Sequence, residues 1–216
     1  SKIIKSLKLV LMNFLNIKKI FSKKIITLLP LSFFLASSSY AEIVDMNDSE
    51  SLVQTIIDEA SKTMGKLVNA KKVSWYWCDT PPAYYPTKNL ICLNKNDKGI
   101  SLAFTTAHEY SHHVQHSLYS LADRAKKNVT KVELQADCFA GIILASIPKI
   151  TFNPKDAQEM IATVYQYGDQ EYDHEDHHGS RENRALALRS GLRFGASKGK
   201  FKDAYYKLFC KGDGDK

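Results

Sequence analysis

Residues 108 to 112 read His-Glu-Tyr-Ser-His, an H-E-x-x-H motif that offers two metal ligands and a general base. On a helix, His108 and His112 lie on the same face one turn apart, so both imidazoles can bind one ion. Zinc lowers the pKa of a bound water to about 7. Glu109, one residue round from His108, can accept a proton from that water and pass it to a leaving amine. The motif therefore predicts zinc-dependent hydrolysis of a peptide bond.

This geometry requires a helix, and the surrounding residues favour one. Ser101 can serve as an N-cap, and small or apolar residues continue to Val114. A motif of only five positions can also occur by chance, so two alternatives stay open at this point. One is a surface helix with incidental histidines, and the other is a structural zinc clip. A third ligand would favour the catalytic interpretation.

A catalytic zinc ion needs three protein ligands and leaves its fourth position to water. Glu133 lies twenty residues after His112 and begins the run Glu-Leu-Gln-Ala-Asp. One helical turn places Asp137 on the same face. We predict Glu133 as the third ligand of a single zinc ion per chain. Asp137 is placed to accept a hydrogen bond from the free ring N–H of a liganding histidine, which would fix the orientation of that ring.

The chain resembles the bacterial neutral zinc metallopeptidases, which carry H-E-x-x-H-H-x-Q and E-L-Q-A-D-C-F-A-G. The matching residues are 108 to 115 and 133 to 141, and the resemblance covers roughly residues 74 to 195. Ser111 departs from the glycine usual in that family. The resemblance implies a mainly helical α+β domain of gluzincin-like fold, with a small sheet beside the active-site helix. It also implies that the segment 89 to 93 holds an extended substrate by strand addition.

More distantly, the chain is similar to a group of membrane gluzincins in which the E-x-x-A-D helix is followed by a histidine and, six residues later, an arginine. His178 and Arg184 keep that spacing. The likeness implies that His178 stabilises the oxyanion of the reaction, which contributes a few kcal/mol to catalysis. It implies that Arg184 orients acidic groups behind the ligands. The alternatives are a loop or helix-capping histidine and a structural ion pair.

Residues 1 to 41 have the pattern of a signal peptide, with lysines before an apolar stretch and Ser-Tyr-Ala before Glu42. We predict a periplasmic or secreted domain at 42 to 216, with an N-terminal membrane anchor facing the periplasm as the alternative. The apolar stretch is shorter than the roughly 20 residues of a spanning helix, so no stable span is expected after cleavage. Met12 is an alternative start.

The basic character of the chain comes from this leader. Residues 1 to 41 hold seven of the 30 basic residues and none of the 23 acidic ones, so the remainder has no net charge. A protein or peptide substrate is expected, and a nucleic-acid partner is not. The 175 residues that follow suffice for one domain.

Four cysteines, Cys78, Cys92, Cys138 and Cys210, lie outside the leader. An oxidising compartment permits disulfides, and four cysteines allow three pairings. The first guess pairs Cys78 with Cys92 and Cys138 with Cys210. A buried free thiol is an equal alternative for Cys138.

Apolar periodicity, strand alternation and capping residues predict the remaining elements. The acidic, histidine-rich stretch at 169 to 178 could hold a second metal, but a solvated loop is the simpler interpretation because calcium-loop spacing is absent. The predicted helices span 48 to 69, 100 to 114, 131 to 147, 153 to 168, 180 to 195 and 201 to 209, and the predicted strands span 73 to 78 and 89 to 93.

The sequence as a whole predicts an exported zinc endopeptidase. The rival hypothesis is a zinc-binding scaffold or a regulatory protein of the cell envelope that has lost turnover. The presence of Glu109 partly favours the endopeptidase over the scaffold, because a structural zinc ion does not need a general base.

Overall fold

The computed structural model describes residues 43 to 119, 128 to 168, 178 to 197 and Cys210. These residues form a mainly helical α+β fold with one three-stranded sheet. The predicted leader, the predicted helix at 201 to 209 and nearly all of the acidic stretch lie outside the described residues. The elements are α1 Ser49–Ala60, β1 Ser74–Cys78, β2 Ala83–Tyr85, β3 Leu90–Asn94, α2 Gly99–Leu118, α3 Val129–Ser146, α4 Pro154–Tyr167 and α5 Arg181–Ala196.

The first predicted helix changes its geometry before its end. The α-helix α1 passes into a π-helical turn, Ser61–Gly65. The hydroxyl of Tyr110, from α2, donates a hydrogen bond to Oγ of Ser61 at 3.0 Å. A side chain at Gly65 would collide with that hydroxyl. The wider turn therefore admits a buried tyrosine of the central helix, a tertiary contact that local periodicity does not encode.

The sheet contains one strand more than predicted. β3 lies in the middle, parallel to β1 and antiparallel to β2. β2 occupies the proline-rich loop, where Pro82 precedes it and Pro86 follows it, so neither proline interrupts the ladder. Because β3 is paired on both sides, it cannot bind a substrate by strand addition as expected. β2 is the edge strand on the side of the metal motif.

The motif helix α2 runs through the centre of the molecule. It begins at Gly99, which has a positive φ of 51°, two residues before the expected cap at Ser101. Its apolar side chains form the core with α1, β3 and α3, and include Leu102, Phe104, Ala107, Tyr110 and Val114. Most of the helix is buried, so most of its polar residues face other elements of the protein.

Helices α3 and α5 touch through their backbones. A Cβ atom at Gly191 would overlap the carbonyl of Cys138, and one at Gly141 would overlap the backbone of α5 at Leu188. Glycines at both positions therefore permit a close crossing. The crossing places Arg184, in the first turn of α5, against the site-bearing part of α3.

Two disulfides link the described elements. Cys78 and Cys92 join β1 to β3, and Cys138 of α3 is joined to Cys210. Within the described residues, no helix has both the length and the apolar character needed to cross a bilayer.

Candidate metal centre

The two histidines of the motif face each other across one turn of α2. Nε2 of His108 lies 3.1 Å from Nε2 of His112. His108 is buried, whereas the side chain of His112 is one-fifth exposed. The helix thus presents two imidazole nitrogens at the edge of a cleft.

Glu133 brings a carboxylate to the same point from the first turn of α3, which Asn128 caps through its side chain. Its Oε2 lies 3.3 Å from Nε2 of His108, and its Oε1 lies 3.4 Å from Nε2 of His112. Two ligands bound at about 2.0–2.1 Å to a tetrahedral ion are about 3.3–3.4 Å apart. The three donor groups therefore form a triangle whose sides are close to the ligand separations of a zinc tetrahedron, with the two sides to Glu133 ending on its two different oxygens.

Behind His108 lies a buried chain of charged groups. Nδ1 of His108 is 2.9 Å from Oδ1 of the fully buried Asp137. Arg184 donates to both oxygens of Asp137, with Nε at 2.8 Å and Nη2 at 2.9 Å. Nη2 also lies 3.5 Å from Oε2 of Glu133. One arginine thus contacts both carboxylates, and the supporting roles expected of Asp137 and Arg184 stay predictions.

These charges affect the protonation of two candidate ligands, His108 and Glu133. Burial lowers the pKa of His108, but hydrogen bonds and charges from Asp137 and Glu133 outweigh burial and raise it to about 10. Burial would raise the pKa of Glu133, but the neighbouring histidines hold it well below its usual range. Glu133 is therefore an anion at neutral pH, and a proton on His108 competes with a metal ion for the ring.

Glu109 lines the cleft beside this triangle of donors. It is 7% exposed, and burial raises the pKa of its carboxyl group although both histidines oppose the shift. The backbone N–H of Tyr84, in the edge strand β2, donates a hydrogen bond to it. A raised pKa brings a carboxylate closer to the range in which it can accept and return a proton near neutral pH.

The cleft in front of these groups has a volume of about 580 Å³. Its wall is largely apolar, which suits a polypeptide chain better than a highly charged ligand. His178 stands at its edge, half exposed, with Nδ1 3.9 Å from Oε2 of Glu133. The wall residues from outside the donor set include Pro81, Pro82, Tyr84, Pro86, Phe104, Tyr119, Val132 and Tyr167.

His113 follows His112 but is not one of the candidate ligands, and its side chain connects α2 to the sheet region. Its Nε2 lies 2.8 Å from the carbonyl oxygen of Lys71, and its Nδ1 lies 3.0 Å from the hydroxyl of Tyr84. Since a carbonyl only accepts, Nε2 carries the proton and Nδ1 accepts from Tyr84. Burial lowers the pKa of His113, which favours this neutral form.

Two buried glutamines near the ligands were missed as functional residues by the sequence analysis. Gln115 lies 2.9 Å from Nδ1 of His112 through its Oε1, and it donates to Gln135. Both residues stand inside the motifs that carried the resemblance, so the motifs themselves were the signal.

Residues 93–184 match the model of a family described as "Putative neutral zinc metallopeptidase". The matched region contains both helices that carry the candidate ligands, and it ends at Arg184. No curated protein and no solved structure matches the chain. The match covers less than half of the 216 residues, and it supports the resemblance to zinc metallopeptidases at the level of that description.

Proposed function

We propose that this chain is a zinc-dependent endopeptidase. The observation that carries the proposal is the triangle of donor groups on His108, His112 and Glu133. The two Nε2 atoms are 3.1 Å apart, Nε2 of His108 lies 3.3 Å from Oε2 of Glu133, and Nε2 of His112 lies 3.4 Å from Oε1 of Glu133. Two imidazoles and one carboxylate are the donor set of a gluzincin-type catalytic zinc site. The similarity of residues 93–184 to zinc metallopeptidases supports the same conclusion.

A bound zinc ion would supply a water of pKa near 7 and polarise the scissile carbonyl. Glu109 accepts the proton of the attacking water on its carboxylate and returns it to the leaving amine. Asp137 and Arg184 hold His108 and Glu133 in the orientation that the ligands need. His178, at the edge of the cleft, donates to the oxygen on which negative charge develops.

The remaining parts of the proposal concern fold and location. We assign the domain to the gluzincin-like class on its ligand set and on the sheet beside α2. We further propose export to the periplasm or beyond, on the pattern of residues 1 to 41, with a protein or peptide as substrate. The largely apolar cleft and the balanced charge of residues 42 to 216 support a polypeptide substrate and give no support for nucleic acid.

Purified protein should contain one zinc ion per chain and cleave casein in a reaction that chelators abolish. Glu133→Ala should lower the zinc content, because it removes one of three ligands. Elemental analysis and casein digestion measure both. Glu159→Ala, which alters an exposed glutamate of α4, is the control and should retain one zinc ion. Full zinc content in Glu133→Ala would exclude this site, and bound zinc without cleavage would favour the scaffold hypothesis.

Zinc binding at pH 8 should release at least one proton, because His108 must lose one whether or not the metal-bound water also ionises. His108 has a pKa of about 10 in the absence of metal, so its ring is protonated at pH 8, whereas a zinc ligand must be neutral. Apparent zinc affinity should therefore rise at least about tenfold per pH unit between pH 7 and 9. Titration calorimetry in buffers of different ionisation enthalpy counts the proton. Binding enthalpies that do not depend on the buffer would contradict the charge assigned to His108.

A further inference from the structure

The buried side of His112 faces an amide and not a carboxylate. Its Nδ1 lies 2.9 Å from Oε1 of Gln115, three residues along α2. Nε2 of Gln115 donates to the carbonyl oxygen of Val132 at 2.8 Å and to Oε1 of Gln135 at 3.1 Å. Val132 directly precedes Glu133. The amide nitrogen of Gln115 therefore contacts the backbone next to Glu133, while its amide oxygen contacts the ring of His112.

Backbone carbonyls determine which way the hydrogen bonds between His112 and the two glutamines point. Because the Val132 carbonyl only accepts, Nε2 of Gln115 must point towards it and Oε1 must face His112. An amide oxygen also only accepts, so Nδ1 of His112 carries a proton. The lone pair of the ring is then on Nε2, the atom in the triangle of donors.

Gln135 is anchored in the same way. Its Nε2 donates to the carbonyl oxygen of Cys210 at 3.1 Å, so its Oε1 faces Gln115 and also accepts from the hydroxyl of Tyr119 at 3.0 Å. Both glutamines are nearly fully buried, at 3% and 6% exposure. Cys210 is bonded to Cys138, which lies one turn after Gln135 on α3. The disulfide therefore holds the final acceptor in place.

We propose that Gln115 is the positioning residue of His112, that Gln135 acts through it, and that the Cys138–Cys210 disulfide sustains both by holding the carbonyl of Cys210. The proposal rests on the zinc site proposed above. It assigns a role to the glutamine of each motif and to one disulfide. The two histidines are then positioned differently. His108 contacts Asp137, which Arg184 holds, whereas His112 contacts Gln115, which Gln135 holds.

The first test measures zinc affinity by competition with a chelator. Gln115→Met preserves side-chain length and removes the amide, so the dissociation constant should rise roughly 10- to 100-fold. Thr106→Val is the control, because Thr106 is buried on the same helix and, among the described residues, its hydroxyl donates to the carbonyl oxygen of Leu102 and not to a candidate ligand. Its zinc affinity should equal that of the native chain. An unchanged constant in folded Gln115→Met would overturn the proposal.

The second test asks whether Gln135 acts through Gln115. Gln135→Met should weaken zinc binding in the native background and have no further effect in Gln115→Met. Fully additive effects would show that Gln135 acts by another route. Thermal unfolding of each variant separates these effects from loss of the fold, and the Gln135 variant keeps the proposal testable if Gln115→Met does not fold.

The third test uses the disulfide. Removing it by Cys138→Ala with Cys210→Ala should weaken zinc binding, and this loss should vanish in the Gln135→Met background. Removing the other disulfide, by Cys78→Ala with Cys92→Ala, should leave zinc affinity unchanged. Equal losses from the two pairs would indicate general destabilisation and contradict a specific role for Cys210.

A spectroscopic measurement separates positioning from packing. In the zinc-loaded protein, the Nδ1 proton of His112 should give a protected, downfield magnetic resonance signal because Gln115 holds it. Gln115→Met should abolish this signal and leave that of His108 unchanged. Retention of the His112 signal would overturn the proposal. Failure of the native chain to bind zinc at all would instead count against the proposed function.

Discussion

Replacing Glu109 with Gln should leave zinc bound and lower the rate of peptide hydrolysis by about 10²–10⁴-fold, the usual contribution of a general base. The amide has nearly the same shape as the carboxylate but cannot accept a proton. The donor triangle does not include Glu109, so zinc content should stay at one ion per chain. Steady-state kinetics with a quenched peptide and elemental analysis measure both quantities.

Glu159→Gln makes the same chemical change on the exposed face of α4 and should not alter the rate. Native activity in Glu109→Gln would remove the proposed base. Loss of zinc in this variant would mean that Glu109 supports the metal and not the proton transfer. A native chain that binds zinc but has no activity to lose would match the rival scaffold hypothesis.

Asp137→Ala should lower the free energy of unfolding by about 3–5 kcal/mol, since it leaves Arg184 buried without its main partner. Both side chains are almost completely buried, at 0% and 4% exposure, so solvent cannot replace the lost contacts. The same change removes the support of His108 and should weaken zinc binding roughly 10- to 100-fold. Chemical denaturation of the zinc-free protein measures the change in the free energy of unfolding separately from the change in zinc affinity.

A paired substitution distinguishes charge from packing at this position. Asp137→Leu combined with Arg184→Met leaves no unpaired charge and should be more stable than Asp137→Ala, because replacing a buried ion pair with apolar groups is often neutral. Zinc affinity should remain low in the pair. Equal destabilisation in both variants would show that the ion pair itself is not the source of the loss.

Local patterns predicted the parts of the site that lie within one or two helical turns. The spacing of His108 and His112, and of Glu133 and Asp137, places each pair on one helix face whatever the rest of the chain does. One possible donor atom from each of His108, His112 and Glu133 lies within 4.8 Å of the others, so the three residues could hold a metal ion, and their role as zinc ligands stays a prediction. The catalytic roles of Glu109 and His178 stay predictions, because they concern reaction steps and not positions.

The missed features depend on contacts between distant segments. β2 has only three residues among prolines, and its register against β3 determines it more than its own sequence does. The π-helical turn requires Tyr110, which is 49 residues from Ser61. The glutamine chain ends on a carbonyl 75 residues from Gln135. No local rule specifies which way an amide points until those carbonyls are in place.

The close crossing of α3 and α5 also bears on how the site moves. Helices in close backbone contact resist sliding past each other, so we expect Glu133, Asp137 and Arg184 to move together. The edge between His108 and His112 lies within a single helix and keeps its length. Thermal motion of α2 against the α3 and α5 pair would therefore stretch the two edges that end at Glu133. On this geometry the carboxylate of Glu133 would be the first of the three proposed ligands to leave a bound zinc ion, and the two histidines would hold the ion longest.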